Sequence, residues 1–386
     1  MRTPALLVVA TLAACAPSPN AVPTDAGGDA GEQPSARRAC VRPLAIERAE
    51  DLGAFSVPSR EVVSRDGVSS GAFGGRILWT FGDTFLRRVN TIDGSHVLSA
   101  TAGWSTRDAP LALREPVDGN GLPSQLIPYT PDEISANRAD PIHNGYALWP
   151  GAVLDTGGPR ALVLFQRIHR RGSSYGADLL GTARVGLDET TATRDPRPLF
   201  VPESVTVGDG TTQRLLFGSE GVSVVDGYAY FFACAPEGFL NKGCRAGRVL
   251  LAHADDRAAF AFWDGGRWQP ELSRAARIVD EVGSGLSVTV NPWLGCYLMV
   301  SGVILRSAAA LRVSERLESG WGSSSAVRIE QAPDGPILAA NAGEYDYLFH
   351  EHPALRSDDG RTIVLSYARP LGNFQGEVRL VRVTLR

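Results

Sequence analysis

The sequence lacks several features that mark common functional classes. It has no excess of positive charge, because 38 basic residues stand against 42 acidic ones in 386, for a formal net charge of -4. Long-range attraction to phosphate backbones needs such an excess, so nucleic acid is not an expected partner. Lysine is almost absent, since Lys242 is the only one in the chain, and this bias towards arginine is typical of a GC-rich genome.

Three catalytic or ligand-binding motifs are also missing. No Walker loop is present to cradle a phosphate, and the glycines instead fall in predicted hairpin turns. No Gly-x-Ser-x-Gly pattern occurs at a predicted strand-to-helix turn, where a nucleophile elbow needs it, which argues against serine hydrolase chemistry. No Cys-x-x-Cys spacing occurs, so we do not expect the cysteines to bind metal. Beyond the N-terminus, no apolar stretch approaches the length of a membrane span.

The N-terminus has the pattern of an export signal. Met-Arg is followed by an apolar run from Ala5 to Ala14 and then by Cys15. The segment Leu12-Ala13-Ala14-Cys15 resembles a bacterial lipobox, which implies cleavage and acylation of the Cys15 thiol. The alternative is an ordinary secretory peptide with an incidental cysteine. We therefore expect an exported protein, lipid-anchored in the bacterial cell envelope at the outer membrane or in the periplasm.

Three regions follow from this reading. Residues 1–14 are the predicted signal peptide, and residues 15–38 are the lipidated cysteine with a disordered tether rich in Pro, Gly and Ala. Residues 39–386 are the folded body, which we expect to be a monomer. Four cysteines remain in the body of a protein exported to an oxidising compartment. Cys234 and Cys244 bracket a Pro/Gly-containing loop that they are expected to close, leaving Cys40 and Cys296 as the other pair, although the two remaining connectivities stay open.

The body is predicted to be all-β. It shows short β-branched and aromatic runs separated by Gly, Asp and Pro, and no long stripe of period 3.6. Five runs align with one another, and their first residues lie 85, 66, 68 and 66 positions apart. Each follows a turn segment, so each is predicted to be the second strand of a hairpin, and this repeat favours a single five-bladed β-propeller over two sandwiches. The runs begin at Ile77, Leu162, Tyr228, Cys296 and Thr362.

Two carboxylates are predicted to face each other in the first repeat. If Gly74-Gly75 is a two-residue hairpin loop, Phe73 pairs with Arg76, and counting outwards places Asp66 opposite Asp83. Directly opposed side chains on antiparallel strands lie close together, and like charges there are destabilising. Such a pair would titrate in a coupled way, as an acid/base couple requires. The alternative is that both are turn or cap residues in loops.

The other repeats supply polar groups at the corresponding positions. The same count places Arg167 of the second repeat at the position of Asp83, and Glu351 of the fifth repeat at the position of Asp66. In the third repeat the count reaches Gly218, two residues before Glu220. Loops and strand ends at one mouth of a propeller axis form its usual ligand pocket. Acidic and guanidinium groups are therefore expected around one mouth.

The first repeat also resembles a known family. Arg65-Asp66-Gly67, followed by the segment from Gly74 through Phe81-Gly82-Asp83-Thr84-Phe85, is similar to the first blade of a bacterial five-bladed propeller family long classed as a domain of unknown function. Some members of that family are endo-D-arabinofuranases. The resemblance continues through Phe217-Gly218-Ser219, Asn291 to Gly295 and His352-Pro353.

The resemblance implies a catalytic pair and a substrate class. An Asp in a Thr-Asp-Leu-Gly segment and the Asp of Phe-Gly-Asp-Thr are the implied pair, and they match Asp66 and Asp83; here the first segment reads Arg65-Asp66-Gly67-Val68. The expected substrate is a furanoside-type polysaccharide or oligosaccharide, hydrolysed by one protonated and one ionised carboxyl group. Which residue is the acid, and whether the anomeric configuration is retained or inverted, stay open.

Further residues are candidates for substrate binding. Trp149, Tyr146 and Trp293 offer rings that can stack on sugars, although aromatic residues near strand ends also serve blade packing. His350 and His352 alternate around Glu351 and are expected to be hydrogen-bonding groups of the pocket, because no third ligand for a shared metal is evident. No cofactor or metal is predicted, and a Ca²⁺ ion at the axis would need an oxygen cluster that the spacing does not show.

Two function classes remain at this point. One is a glycoside hydrolase, and the other is a surface propeller that binds glycan or protein without turnover. Fold does not choose between them. The enzyme is favoured because two opposed carboxylates would cost stability in a pure binding module.

Overall fold

The computed structural model shows a nearly all-β chain arranged as a five-bladed propeller, which confirms the predicted fold class. Among the residues that the structure describes, no helix is long and apolar enough to cross a bilayer. The predicted signal peptide, Cys15 and most of the tether lie outside the described residues. The structure describes residues 33–172, 174–206, 210–236, 242–303, 306–322, 327–330, 346–372 and 375–386.

Each blade is an antiparallel sheet with its first strand at the propeller axis. Blade 5 is completed by β1 (Ile46–Ala54), the first strand of the chain, which pairs with the last strand and so closes the ring. Blade 1 consists of β2 (Val62–Arg65), β3 (Val68–Phe73), β4 (Arg76–Leu86) and β5 (Val97–Ser105). After helix α1 (Pro131–Ala139), blade 2 consists of β6 (Tyr146–Leu154), β7 (Ala161–Arg171), β8 (Ser174–Val185) and β9 (Thr193–Arg194).

The remaining blades repeat this meander. A separate hairpin, β10 (Glu203–Thr206) and β11 (Thr212–Leu215), precedes blade 3. Blade 3 consists of β12 (Gly221–Val225), β13 (Tyr228–Pro236), β14 (Lys242–Leu250), β15 (Ala261–Trp263), β16 (Trp268–Gln269) and β17 (Arg277–Val279). Blade 4 consists of β18 (Leu286–Asn291), β19 (Cys296–Val303), β20 (Arg306–Ser314) and β21 (Val327–Glu330). Blade 5 consists of β22 (Tyr347–Glu351), β23 (Thr362–Gly372) and β24 (Gln375–Leu385), with β1 at its outer edge.

The hydrophobic core lies between neighbouring blades. Five clusters of buried side chains each span one junction, and the aligned runs of the sequence supply the second strands β4, β7, β13, β19 and β23 that contribute to them. Between blades 5 and 1, for example, Trp79 and Phe81 pack with Leu380, and all three are fully buried. Both faces of these strands are covered, which explains their continuously apolar character.

Two disulfides and an N-terminal segment fasten the ring. Cys40 is bonded to Cys296 and Cys234 to Cys244, so the favoured connectivity is confirmed. Two disulfides are typical of a protein that folds in an oxidising compartment. Residues 33–38, which the sequence analysis assigns to the tether, contact the propeller: the backbone N–H and hydroxyl of Ser35 both donate to the buried carboxylate of Glu318, at 2.6 and 2.7 Å.

Candidate active site

A cavity of about 960 Å³ lies on the propeller axis and is lined by residues from all five blades. Its size is near the upper end of the roughly 300 to 1,000 Å³ that ligand pockets occupy. The inner strands and the turns beside them supply many of its lining residues, including Val68, Trp149, Val222 and Ser287. Asp66 and Asp83 both line this cavity.

The two aspartates lie opposite each other across blade 1. Gly74 and Gly75 both have positive φ, +56° and +75°, and form the two-residue turn that pairs Phe73 with Arg76. The pairing runs without a shift from that turn to Val68 opposite Phe81. Beyond it, the backbone N–H of Asp66 donates to the carbonyl of Asp83 at 2.8 Å, so the register expected from the sequence is present.

Asp66 sits at a break between β2 and β3, and two glycines shape that break. Gly67 has a φ of +55°, a conformation that L side chains rarely adopt. The N–H of Gly82 donates to the carbonyl of Asp66 at 2.9 Å, and a Cβ on Gly82 would lie 3.0 Å from that same oxygen. Gly82 therefore allows the two strands to approach each other at Asp66. This role of Gly82 was not predicted from the sequence.

Burial raises the pKa of both carboxyl groups. The pKa of Asp66 is raised by desolvation, against which hydrogen bonds from Tyr347 and from the backbone of Gly67 act to lower it. The pKa of Asp83 is raised to about 6, first by desolvation and further by the charge on Asp66, while Arg170 and Trp149 lower it. One carboxyl group of the pair is thus held near the pKa that acid/base work at neutral pH requires.

The two histidines lie on the same wall. Burial lowers the pKa of His350 to about 4 and that of His352 to about 3, so both imidazoles are neutral at physiological pH. His352 Nδ1 forms a hydrogen bond with the hydroxyl of Ser70 at 2.6 Å, and its ring lies 4.8 Å from that of Trp79. No group of three or more metal-ligating side chains occurs among the residues that the structure describes.

Glu351 lines the cavity between these histidines but is already engaged. Its carboxylate accepts hydrogen bonds from the Thr289 hydroxyl at 2.7 Å and from the Arg356 guanidinium, and its side chain is 1% exposed. Its backbone N–H donates to Ser287 Oγ at 2.9 Å. These contacts tie blade 5 to blade 4, so Glu351 shapes the wall.

Blade 3 contributes an ion pair to the cavity lining. Glu220 lies just before β12, and Lys242 begins β14; both line the cavity, and the lysine ammonium contacts the glutamate carboxylate. Their side chains are 15% and 25% exposed, respectively, so both can be reached by a ligand. The only lysine of the chain therefore lies at this cavity.

Three of the predicted binding residues lie elsewhere. Arg167 is not among the cavity-lining residues: its guanidinium donates to Asp178 at 2.9 and 3.0 Å. The cation nearest Asp83 comes instead from Arg170, whose Nη2 lies 3.6 Å from Asp83 Oδ2. Trp293 stacks against the guanidinium of Arg42 at 3.9 Å and also lies outside the cavity, and Tyr146 stacks on His169.

Trp149 does line the cavity, beside Asp83.

Three residues of the site were not predicted from the sequence. Tyr347 begins β22 and Arg170 lies near the end of β7, and neither carries a local motif. Lys242 could have been singled out, because a lone lysine among many arginines is an exception to the codon bias that explains the rest.

Comparison with solved structures finds several chains of similar fold. The chain is similar to an exo-β-1,3-galactanase from Clostridium thermocellum, with 13% identity and a TM-score of 0.50, covering 89% of this chain and 62% of that one. It is also similar to a GH43 enzyme from Xanthomonas citri (13% identity, TM-score 0.45, covering 87% and 90%). A third is the catalytic domain of a GH62 α-L-arabinofuranosidase from Coprinopsis cinerea, with 12% identity and a TM-score of 0.42, covering 92% of this chain and 98% of that one.

At these identities the likeness shows the fold alone, and the chain spans less than two thirds of the galactanase. No protein-family model and no curated protein sequence matches it.

Proposed function

We propose that the protein is a glycoside hydrolase that cleaves a furanoside-type polysaccharide, similar to an endo-D-arabinanase, with Asp66 and Asp83 as its catalytic pair. One observation carries the proposal: two carboxyl groups face each other across antiparallel strands in a large cavity, and the pKa of one is raised to about 6. Like charges in this arrangement are destabilising, so a purely structural or binding role gains nothing from them.

The chemistry needs one proton donor and one ionised partner. As the glycosidic C–O bond breaks, the acid gives its proton to the leaving sugar oxygen. The ionised carboxylate either takes a proton from the attacking water or bonds to the anomeric carbon, and water then cleaves that bond. The neutral His350 and His352 and the Glu220–Lys242 pair offer donors and acceptors for sugar hydroxyls around the cavity, and Trp149 offers a ring.

Location forms part of the same proposal. The two disulfides fit an extracellular or periplasmic protein. We propose in addition that Cys15 is acylated and that the propeller is held at the cell envelope by this anchor, where it meets polysaccharide.

The test is hydrolysis of a glycan panel by the full-length protein, measured as release of reducing ends. The panel contains D-arabinan, L-arabinan and arabinoxylan, with cellulose as a pyranoside control. Asp83→Asn and Asp66→Asn should each lower the rate by at least the roughly 10² to 10⁴-fold that general acid/base catalysis contributes. The amide keeps the shape and removes the repulsion between the carboxylates, so the melting temperature should hold or rise.

Asp178→Asn is the matched control, because Asp178 lies in blade 2 outside the cavity lining. It should retain full activity. Unchanged turnover in both cavity variants would overturn the site. Binding of a glycan without release of reducing ends by the wild type would favour the non-catalytic propeller.

A further inference from the structure

Tyr347 reaches from blade 5 to the catalytic pair in blade 1. Its phenol donates a hydrogen bond to Asp66 Oδ1 at 2.5 Å. Tyr347 is the first residue of β22 and lines the cavity beside Leu348. The contact therefore crosses the junction between blades 5 and 1.

The backbone at this point has an unusual shape. Leu348 has a φ of +56°, which is rare and costly for a bulky residue. The pairing of β22 with β23 is shifted between Tyr347 and His350. Such irregularities are frequent beside active sites, where they re-aim a side chain. The N–H of Leu348 donates to Ser284 Oγ at 3.0 Å, which helps to hold the bend.

The two aspartates differ in their hydrogen-bond donors. Asp66 accepts from the Tyr347 phenol and from the backbone of Gly67. Asp83 has the Arg170 guanidinium 3.6 Å away, beyond hydrogen-bond length, and the hydrogen bond from Trp149 has the smallest of the effects on its pKa. Donors in direct contact favour the charged form of a carboxyl group.

We propose that Tyr347 is the positioning residue that keeps Asp66 ionised, which leaves Asp83 to carry the proton and act as the general acid. This inference rests on the proposed function and assigns the roles that the sequence leaves open. The charge on Asp66 raises the pKa of Asp83, as expected if Asp66 ionises first.

The neighbouring groups leave this assignment in place. Arg170 lowers the pKa of Asp83 and so prevents a larger rise. His350 and His352, on the same wall as Tyr347, are neutral above about pH 4. Glu351 is paired with Arg356.

The experiment follows the protonation of the two aspartates by NMR, which does not depend on activity, and then by the pH–rate profile. Carboxyl ¹³C signals of aspartate-labelled full-length protein are followed from pH 3 to 8, and Asp66→Asn and Asp83→Asn identify the two signals. In the wild type, Asp66 should ionise at lower pH than Asp83. In Tyr347→Phe, the pKa of Asp66 should rise. The acidic limb of the pH–rate profile on the substrate found in the panel should then move to higher pH, by about one unit.

Tyr228→Phe is the control, because it removes a hydroxyl from blade 3 outside the cavity lining. It should change neither the titration nor the profile. If Asp83 ionises first in the wild type, or if a folded Tyr347→Phe leaves the Asp66 titration unchanged, the inference is wrong. If no glycan is hydrolysed, the proposed function fails while the titration still decides the order of ionisation.

Discussion

The hairpins of blades 1 and 2 begin alike and end differently. In each, the seventh residue after the arginine that starts the count is charged: Asp83 follows Arg76, and Arg167 follows Arg160. Asp83 lines the cavity, whereas Arg167 binds Asp178 outside the cavity lining. Position in the repeat therefore does not by itself decide which side chain faces the axis.

The difference lies in the regularity of the pairing. In blade 1, β3 and β4 pair without a shift up to Val68 and Phe81. In blade 2, β6 and β7 are shifted between Pro150 and Val153, and β7 and β8 are shifted next to Arg167. A bulge inserts an extra residue and re-aims the side chains around it. A count along the sequence holds only where no bulge intervenes.

After the loss of the two carboxyl groups themselves, the largest effect on activity is expected from disturbing the regular hairpin at Gly82. A Cβ there would lie 3.0 Å from the Asp66 carbonyl oxygen, so Gly82→Ala must displace Asp66 by a few tenths of an ångström. We expect a loss of about 10-fold or more in kcat/KM, since a shift of about 1 Å can cost about 10²-fold. The measurement is the kcat/KM for glycan hydrolysis.

Gly158→Ala makes the comparison with the shifted hairpin, because Gly158 lies in the turn of that hairpin and outside the cavity lining. Its Cβ would meet no atom within 4 Å. Activity should be retained. Equal losses in both variants would show that the glycine contact at Asp66 has no special role.

The sequence predicted the propeller because its signals are local and repeated. Second strands covered on both faces are continuously apolar, and turns rich in glycine or aspartate precede most of them, so the repeat is visible without tertiary information. The register that places Asp66 opposite Asp83 was also predictable from a local signal. The turn consists of Gly74 and Gly75 alone, which fixes the pairing of the two strands on either side of it.

The remainder of the site depends on contacts between blades. Tyr347 meets Asp66 although the two are 281 positions apart in sequence. Arg170 approaches Asp83 from blade 2, beyond the bulges that defeat the count. No local pattern marks either residue, because contacts between neighbouring blades bring each into place.

The next largest effect is on the free energy of unfolding, and it compares Asp83 in blade 1 with Asp178 in blade 2. The pKa of Asp83 is raised from 3.8 to about 6, so folding favours its neutral form. Its contribution is present below about pH 4 and is lost as pH rises to about 6, by on the order of 1–3 kcal/mol. Asp83→Asn should therefore be more stable than the wild type above pH 6 and similar to it near pH 4. Urea unfolding at pH 4, 6 and 8 measures this.

Asp178→Asn should show no such gain. Asp178 accepts hydrogen bonds from Arg167 and is 23% exposed, so the amide should cost about 0–1 kcal/mol. A stabilisation by Asp178→Asn as large as that by Asp83→Asn would remove the distinction between a strained pair and a satisfied one.

The smallest effect compares the two arginines, whose side chains are equally exposed at 30%. Arg170 lowers the pKa of Asp83, so Arg170→Gln should raise it. If Asp83 is the acid, it then stays protonated to higher pH, and the alkaline limb of the pH–rate profile should move up by about one unit or less, since Arg170 is partly solvated. Arg167→Gln should leave that limb in place, because Arg167 serves Asp178. If Arg170→Gln instead moved the acidic limb up and left the alkaline limb in place, Asp83 would work in its ionised form and the roles of the two aspartates would be reversed.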